Sequence, residues 1–277
     1  MEFFELKPKE KNSIRMENAG LAWRGYFSEG MEFTSDLPDR KEGLYFGIEH
    51  SKDHPEVVAR TPLHGANQWP LRPSGFKEVV ESHITSVSTL GSLLLNQIGL
   101  ALGLENRYFE KRFTSDPTVL FRIFNYPKSE NPTESWGVGE HTDMGFLTLL
   151  LQDSKGGLQV KLTDRTWIDA PPLEGSFIVN IGDMLELWTG GEYLATPHRV
   201  RNLSQQDRLS FPLFFDPGWH TTLEPLPLPL KSQNLKDKNT FNKRWDGLNL
   251  KALAGTMTYG EFVWKKVAHV FPHLVKG

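Results

Sequence analysis

The segment Gly139-Glu140-His141-Thr142-Asp143-Met144-Gly145 sets an imidazole and a carboxylate two residues apart. At the start of an apolar strand that spacing points both side chains to one face, which makes a ready chelating pair. Taken alone, the pair is a weak signal and reads better as a packed histidine beside a turn aspartate. A second histidine, His198 in Ala195-Thr196-Pro197-His198-Arg199-Val200, stands at the entry to another short strand.

Two imidazoles and one carboxylate occupy one face of an octahedron and leave three positions open for substrate and O2, which is the ligand set of non-haem iron(II) oxygenases. Hydrolytic zinc is the weaker reading. It wants a general base close by, often within His-Glu-x-x-His, and that motif is absent. Ten residues after His198 comes Arg208-Leu209-Ser210, an i, i+2 pair whose guanidinium and hydroxyl share a strand face. A guanidinium grips a carboxylate through two parallel hydrogen bonds, with the serine hydroxyl as a further donor. An anion site one strand from a metal is the economical account.

These groups need a scaffold of short strands, and residues 118–226 supply one. Apolar or alternating runs at Val119–Asn125, Gly145–Gln152, Gly157–Lys161, Phe177–Ile181, His198–Asn202 and Arg208–Phe215 are bounded by Gly, Pro, Asn and Asp. Without long helices between them they predict an antiparallel sandwich or barrel. Residues 1–70 read as loops with short strands wrapped against something else. Between Gly75 and Leu104, Val79, Val80, Ile84, Val87, Leu90, Leu93, Leu94 and Ile98 recur at helical spacing. A last helix starts near Thr258 and carries Phe262, Val263, Val267 and Val270, after a polar surface loop at 231–247 and an extended exit marked by Pro225, Pro227 and Pro229. The expected organisation is a single domain over 1–277: an N-terminal region 1–117 packed on the barrel, a jelly-roll core 118–226, and a C-terminal loop and helix 227–277.

Composition narrows the partners. The 277 residues carry 31 Lys+Arg against 34 Asp+Glu, so no basic surplus is available to neutralise a run of phosphates, and nucleic acid is excluded as a partner. There is no cysteine, so a metal must sit on His, Asp or Glu. The apolar stretch at Leu93–Leu104 is broken by Asn96 and Gln97, too short and too polar to cross a bilayer, and the N-terminus lacks the pattern of a secretory signal. A cytoplasmic monomer without membrane contact is expected.

The stretches His141–Gln152, Gly157–Val160, Gly175–Glu186, His198 and Arg208–Ser210 agree in order and spacing with one known group. On them the chain resembles the isopenicillin N synthase-like family of iron(II)- and 2-oxoglutarate-dependent dioxygenases. The resemblance implies a mainly β fold with flanking helices, a double-stranded β-helix or distorted jelly roll. It makes His141, Asp143 and His198 the Fe(II) ligands and the seat of the catalytic iron-oxo centre, with O2 as oxidant. It makes Arg208 and Ser210 the anchor for the distal carboxylate of the cosubstrate 2-oxoglutarate. Tyr126, before Pro127, matches the family tyrosine whose hydroxyl reaches a bound carboxylate.

Gly182-Asp183 and Trp188 also match, and read as a turn, a helix start capped by Asp183, and packing. The implied reaction oxidises an unactivated C–H bond of a small molecule by hydroxylation, desaturation or ring closure, releasing succinate and CO2. Arg122 shares a strand face with Tyr126. It either holds an acidic substrate, such as an amino acid or another carboxylate, or pairs with a protein carboxylate such as Glu140. Trp136, Phe215 and Arg24 are further candidates for substrate contact, and Phe146, Phe214 and His220 are expected near the barrel mouth or wall.

Family members usually open with an Ile-Pro-x-Ile-Asp-type strand and a helix, neither evident here, and Lys128-Ser129-Glu130 stands where plant members have proline-proline-cysteine. Because Arg-x-Ser also occurs in members that bind the substrate's own carboxylate, an oxidase without 2-oxoglutarate is the first alternative. A non-catalytic jelly roll that binds a small acid is the second.

Overall fold

The computed structural model describes residues 1–34, 37–128, 136–222, 224, 226–228 and 255–270, the last three as backbone. The expected loop at 231–247, Pro225, Pro229, Ser129, Glu130 and the side chain of Val270 lie outside the described residues.

Twelve strands are described: β1 (Gly25–Phe27), β2 (Phe33–Thr34), β3 (Leu37–Pro38), β4 (Glu42–Gly47), β5 (Thr118–Tyr126), β6 (Val138–His141), β7 (Leu147–Gln152), β8 (Leu158–Lys161), β9 (Trp167–Asp169), β10 (Ile178–Ile181), β11 (His198–Val200) and β12 (Arg208–Asp216). The six-stranded major sheet runs β1-β4-β5-β12-β7-β10, the four-stranded minor sheet β6-β11-β8-β9, and β2 and β3 pair alone. Every strand pairing within these sheets is antiparallel. This is the antiparallel two-sheet arrangement that the pattern of short strands implied, and the double-stranded β-helix that the family resemblance implied. The helices are α1 (Pro8–Lys11), α2 (Pro55–Val58), α3 (Phe76–Ala101), α4 (Tyr108–Arg112), α5 (Asp183–Trp188) and α6 (Tyr259–Val270).

Period-two alternation decides what each central strand offers to each side. On β5 the even positions Arg122, Phe124 and Tyr126 line the interior cavity, as do Arg208, Ser210, Pro212 and Phe214 on β12. The odd positions face outward to the helices: Phe121 meets His83 of α3 at 4.8 Å between ring centres, and a β-carbon at Gly91 of α3 would crowd the Phe215 ring. Small Gly91 therefore lets α3 lie close on the sheet.

Val80, Ile84, Val87, Gly91, Leu95 and Gly99 form the buried face of α3. Val79 and Leu93, expected on that face, point outward instead and are 69% and 57% exposed. Spacing alone could not choose between two adjacent apolar stripes on one helix. The continuous helix is also longer than the apolar stretch seen in sequence. It is long and apolar enough to span a bilayer, and its inner face packs on β12 and β7.

Two strands escaped the sequence reading. Val138-Gly139-Glu140-His141 has one aliphatic residue, and Trp167–Asp169 is three residues long, so both form through pairing with β11 and β8 rather than by pattern. The N-terminal segment is more integral than expected, since β4 pairs with β5 from Glu42 opposite Asn125 to Gly47 opposite Leu120 and extends the major sheet.

Candidate active site

His141 ends β6 and His198 begins β11, and the two are direct partners in the antiparallel register. Their ring centres lie 4.2 Å apart. His141 Nδ1 donates to the Gly139 carbonyl at 2.9 Å, and His198 Nδ1 to the Thr196 carbonyl at 3.0 Å. A carbonyl can only accept, so both rings carry their proton on Nδ1 and present an Nε2 lone pair inward.

Asp143 does not lie on a strand with His141, as the i, i+2 spacing suggested. It sits in the turn after β6, where the chain crosses to β7 of the other sheet. Its Oδ2 accepts from Thr148 Oγ1 at 2.6 Å and Asn180 Nδ2 at 2.7 Å. That leaves Oδ1 toward the imidazoles, 4.0 Å from His141 Nε2 and 3.7 Å from His198 Nε2. One donor atom from each residue lies within 4.8 Å of the others, and these three form the only such cluster among the described residues.

Burial lowers the His141 pKa to about 3, reinforced by His198 and opposed by Asp143. Burial pushes the Asp143 carboxyl upward, but His198, His141 and the bonds from Thr148 and Asn180 outweigh it and hold the group below its ordinary value. A neutral imidazole and an ionised carboxylate are the states in which these groups donate electron pairs to a cation. The donor set thus fits a metal of the iron or zinc type, with one face closed by protein.

Arg208, fully buried on β12, opens onto the same cavity. Its Nε donates to the Gly156 carbonyl and its Nη2 to Gln152 Oε1 at 3.1 Å, while its guanidinium lies 4.9 Å from the centre of the Tyr126 ring. Nη1 is buried without a hydrogen-bond partner. Among the described residues no carboxylate pairs with this cation. Ser210 and Tyr126 line the cavity beside it. A buried guanidinium with a spare donor fits an incoming carboxylate, because an uncompensated charge there is costly.

Arg122 also lines the cavity, held between rings 4.3 Å from the centre of Tyr45 and 4.7 Å from that of Phe214. It does pair with a protein carboxylate, though not Glu140: Nη1 is 3.4 Å from Glu32 Oε1, while Glu140 pairs with Lys161 at 2.8 Å. Glu32 also meets Lys41 Nζ at 2.9 Å and accepts from the Tyr45 hydroxyl at 2.8 Å. Burial would raise the Glu32 pKa, but Lys41 and Arg122 pull it down.

Three candidates lie elsewhere. Phe215 is an odd-face residue packed on α3. Trp136 is clasped between Arg199 and Arg201, 4.2 and 3.7 Å from the ring centre, away from the cavity lining. Arg24 is buried in the N-terminal layer, where Nη2 donates to the Leu63 carbonyl at 2.7 Å. His220 is exposed and pairs with Glu56 rather than standing at the mouth. Phe146 and Trp188 pack together at 4.8 Å. Asp183 is the first residue of α5, with Gly182 in the cap position. Thr148, Asn180, Glu32 and Lys41 were not anticipated. A polar residue inside the runs Leu147–Gln152 and Ile178–Ile181 was the only available signal, and for Glu32 and Lys41 there was none.

Known proteins resemble most of the chain. Residues 115–217 match the family model of the 2OG-Fe(II) oxygenase superfamily, and residues 1–72 match that of the non-haem dioxygenase in morphine synthesis N-terminal region. A "Probable iron/ascorbate oxidoreductase" of Dictyostelium discoideum is 44% identical over 98% of this chain and 80% of its own length. The 1-aminocyclopropane-1-carboxylate oxidase of Dictyostelium mucoroides is 36% identical over 99% of this chain and 81% of its own. A full-length Neurospora crassa protein, crystallised in complex with alpha-KG and 5-formyluracil, superposes with a TM-score of 0.68 at 28% identity, over 82% of this chain and 70% of that one.

Proposed function

Since the chain belongs to the 2OG-Fe(II) oxygenase superfamily and is an oxygenase using Fe(II) and 2-oxoglutarate, we propose that His141, Asp143 and His198 hold its iron. Arg208 and Ser210 bind the distal carboxylate of 2-oxoglutarate, and the Tyr126 hydroxyl reaches the same anion. The observation that carries this assignment is Arg208: a fully buried cation with an unused Nη1, lining one cavity with the three metal donors.

Bound there, iron and 2-oxoglutarate would supply the oxidising power needed for an unactivated C–H bond, with succinate and CO2 as coproducts. The chain's own groups do the rest. The Gly139 and Thr196 carbonyls fix the imidazole tautomers, and Thr148 and Asn180 aim one oxygen of Asp143. Leu150, Val160, Ile178 and Phe214 keep the cavity apolar and limit water.

The substrate is a small carboxylic acid, an amino acid among the candidates, bound by Arg122. The support is a guanidinium pre-oriented by two aromatic rings and held by a single long contact to Glu32. A relative named for 1-aminocyclopropane-1-carboxylate, an amino-bearing carboxylate, is consistent with it. The test is a screen of amino acids and small carboxylates for O2 uptake and succinate release, with and without 2-oxoglutarate. Uptake stoichiometric with succinate is expected. Substrate oxidation that proceeds without 2-oxoglutarate would reassign Arg208 to the substrate's own carboxylate.

A further inference from the structure

The turn Asp143–Phe146 carries a metal donor between two sheets, and its backbone is tied down from two sides. The first amides of α5 and its cap satisfy its carbonyls: Asp183 N–H donates to Asp143 O at 2.9 Å, Met184 N–H to Gly145 O at 3.1 Å, and Gly182 N–H to Phe146 O at 3.0 Å. From the opposite side Asp216, at the end of β12, accepts the Phe146 N–H at 2.9 Å through Oδ1. The approach is so close that a β-carbon at position 145 would overlap the Asp216 carboxylate, which explains glycine there.

The other Asp216 oxygen accepts the Tyr259 hydroxyl at 2.6 Å. Tyr259 opens α6, whose first turn is anchored by Tyr259 N–H to Thr221 O and Gly260 N–H to Trp219 O, both 2.8 Å. Two turns further along the same helix, Lys266 and Val267 line the cavity. One helix thus walls the substrate space and, through Tyr259 and Asp216, touches the turn that carries Asp143. Asp216 is buried, and the cation that acts on it, Arg122, does so only through space and does not outweigh the burial. A buried carboxylate of that kind is an expensive way to fill space. Both of its oxygens are spent on fixed donors from two separate elements, as a group selected for position would be.

We infer that Asp216 is a positioning residue for Asp143, linking helix α6 through Tyr259 to the turn that carries this metal donor. The inference rests on reading His141, Asp143 and His198 as the ligands. The test titrates metal-free protein with Mn(II), following free Mn(II) by electron paramagnetic resonance, so that no turnover is needed.

Asp216→Ala should weaken Mn(II) binding about tenfold, in the range seen when groups that orient metal ligands are removed. Asp216→Asn, which can still accept from Phe146 and bond to Tyr259, should stay within about twofold of wild type. Tyr259→Phe should lose about threefold. Wild-type affinity in Asp216→Ala would overturn the inference. Should that variant fail to fold, wild-type affinity in Tyr259→Phe would overturn it equally, and a threefold loss there, with Asp216→Asn unaffected, would support it. Asp143→Ala separates the two levels: if it binds Mn(II) as tightly as wild type, the ligand assignment itself has failed.

Discussion

His141 and His198 stand opposite each other across the β6–β11 ladder, and each donates its Nδ1 proton to the carbonyl two residues before it. The pairing makes the two Nε2 atoms one unit, because neither ring can turn without losing its carbonyl. Replacing His141, His198 or Asp143 by Ala should abolish iron-dependent turnover, since two remaining donors cannot hold the ion in a facial site. Full activity in any single variant under limiting iron would remove that residue from the ligand set.

Arg208→Lys keeps the charge but loses the fork that grips a carboxylate. The apparent KM for 2-oxoglutarate should rise about ten- to a hundredfold, equivalent to about 1.4–2.8 kcal/mol. An unchanged KM would mean that the cosubstrate carboxylate binds elsewhere.

Arg122→Met should preserve 2-oxoglutarate binding while uncoupling succinate formation from substrate oxidation, because the substrate loses its anchor and not the cosubstrate. Glu32 would then keep Lys41 at 2.9 Å and the Tyr45 hydroxyl at 2.8 Å as partners. If coupling stays intact while the melting temperature falls, Arg122 only braces the wall, and the substrate need not be an acid.

Burial raises the Asp216 carboxyl from 3.8 to about 7, with the Tyr259 and Phe146 bonds only partly opposing the rise. Between those values the folded protein holds a proton that the unfolded chain releases. Its stability contribution therefore falls as pH climbs from about 4 through 7. Asp216→Asn should remove this dependence and gain stability over wild type toward pH 8, by up to a few kcal/mol. Parallel denaturant titrations at pH 5 and pH 8 check the sign. A difference between the two proteins that does not change with pH would refute the assignment.

What the sequence determined by itself was everything carried by neighbours along one strand or by residue type. The two histidines, the aspartate and the absence of cysteine restricted the metal chemistry, and alternation along β12 set Arg208 and Ser210 on one face. The tertiary structure decided what depends on groups far apart in the chain. Glu32 meets Arg122 across 90 positions, Asn180 reaches Asp143 across 37, and Asp216 receives the Phe146 amide across 70. It also decided which of two adjacent apolar stripes of α3 turns inward, so that Val80 and Ile84 are buried while Val79 and Leu93 are exposed. The reason is physical. Side-chain direction along a strand follows from local backbone geometry, whereas the partner of a buried charge is chosen by whichever opposite charge the folded sheet brings within a few ångströms.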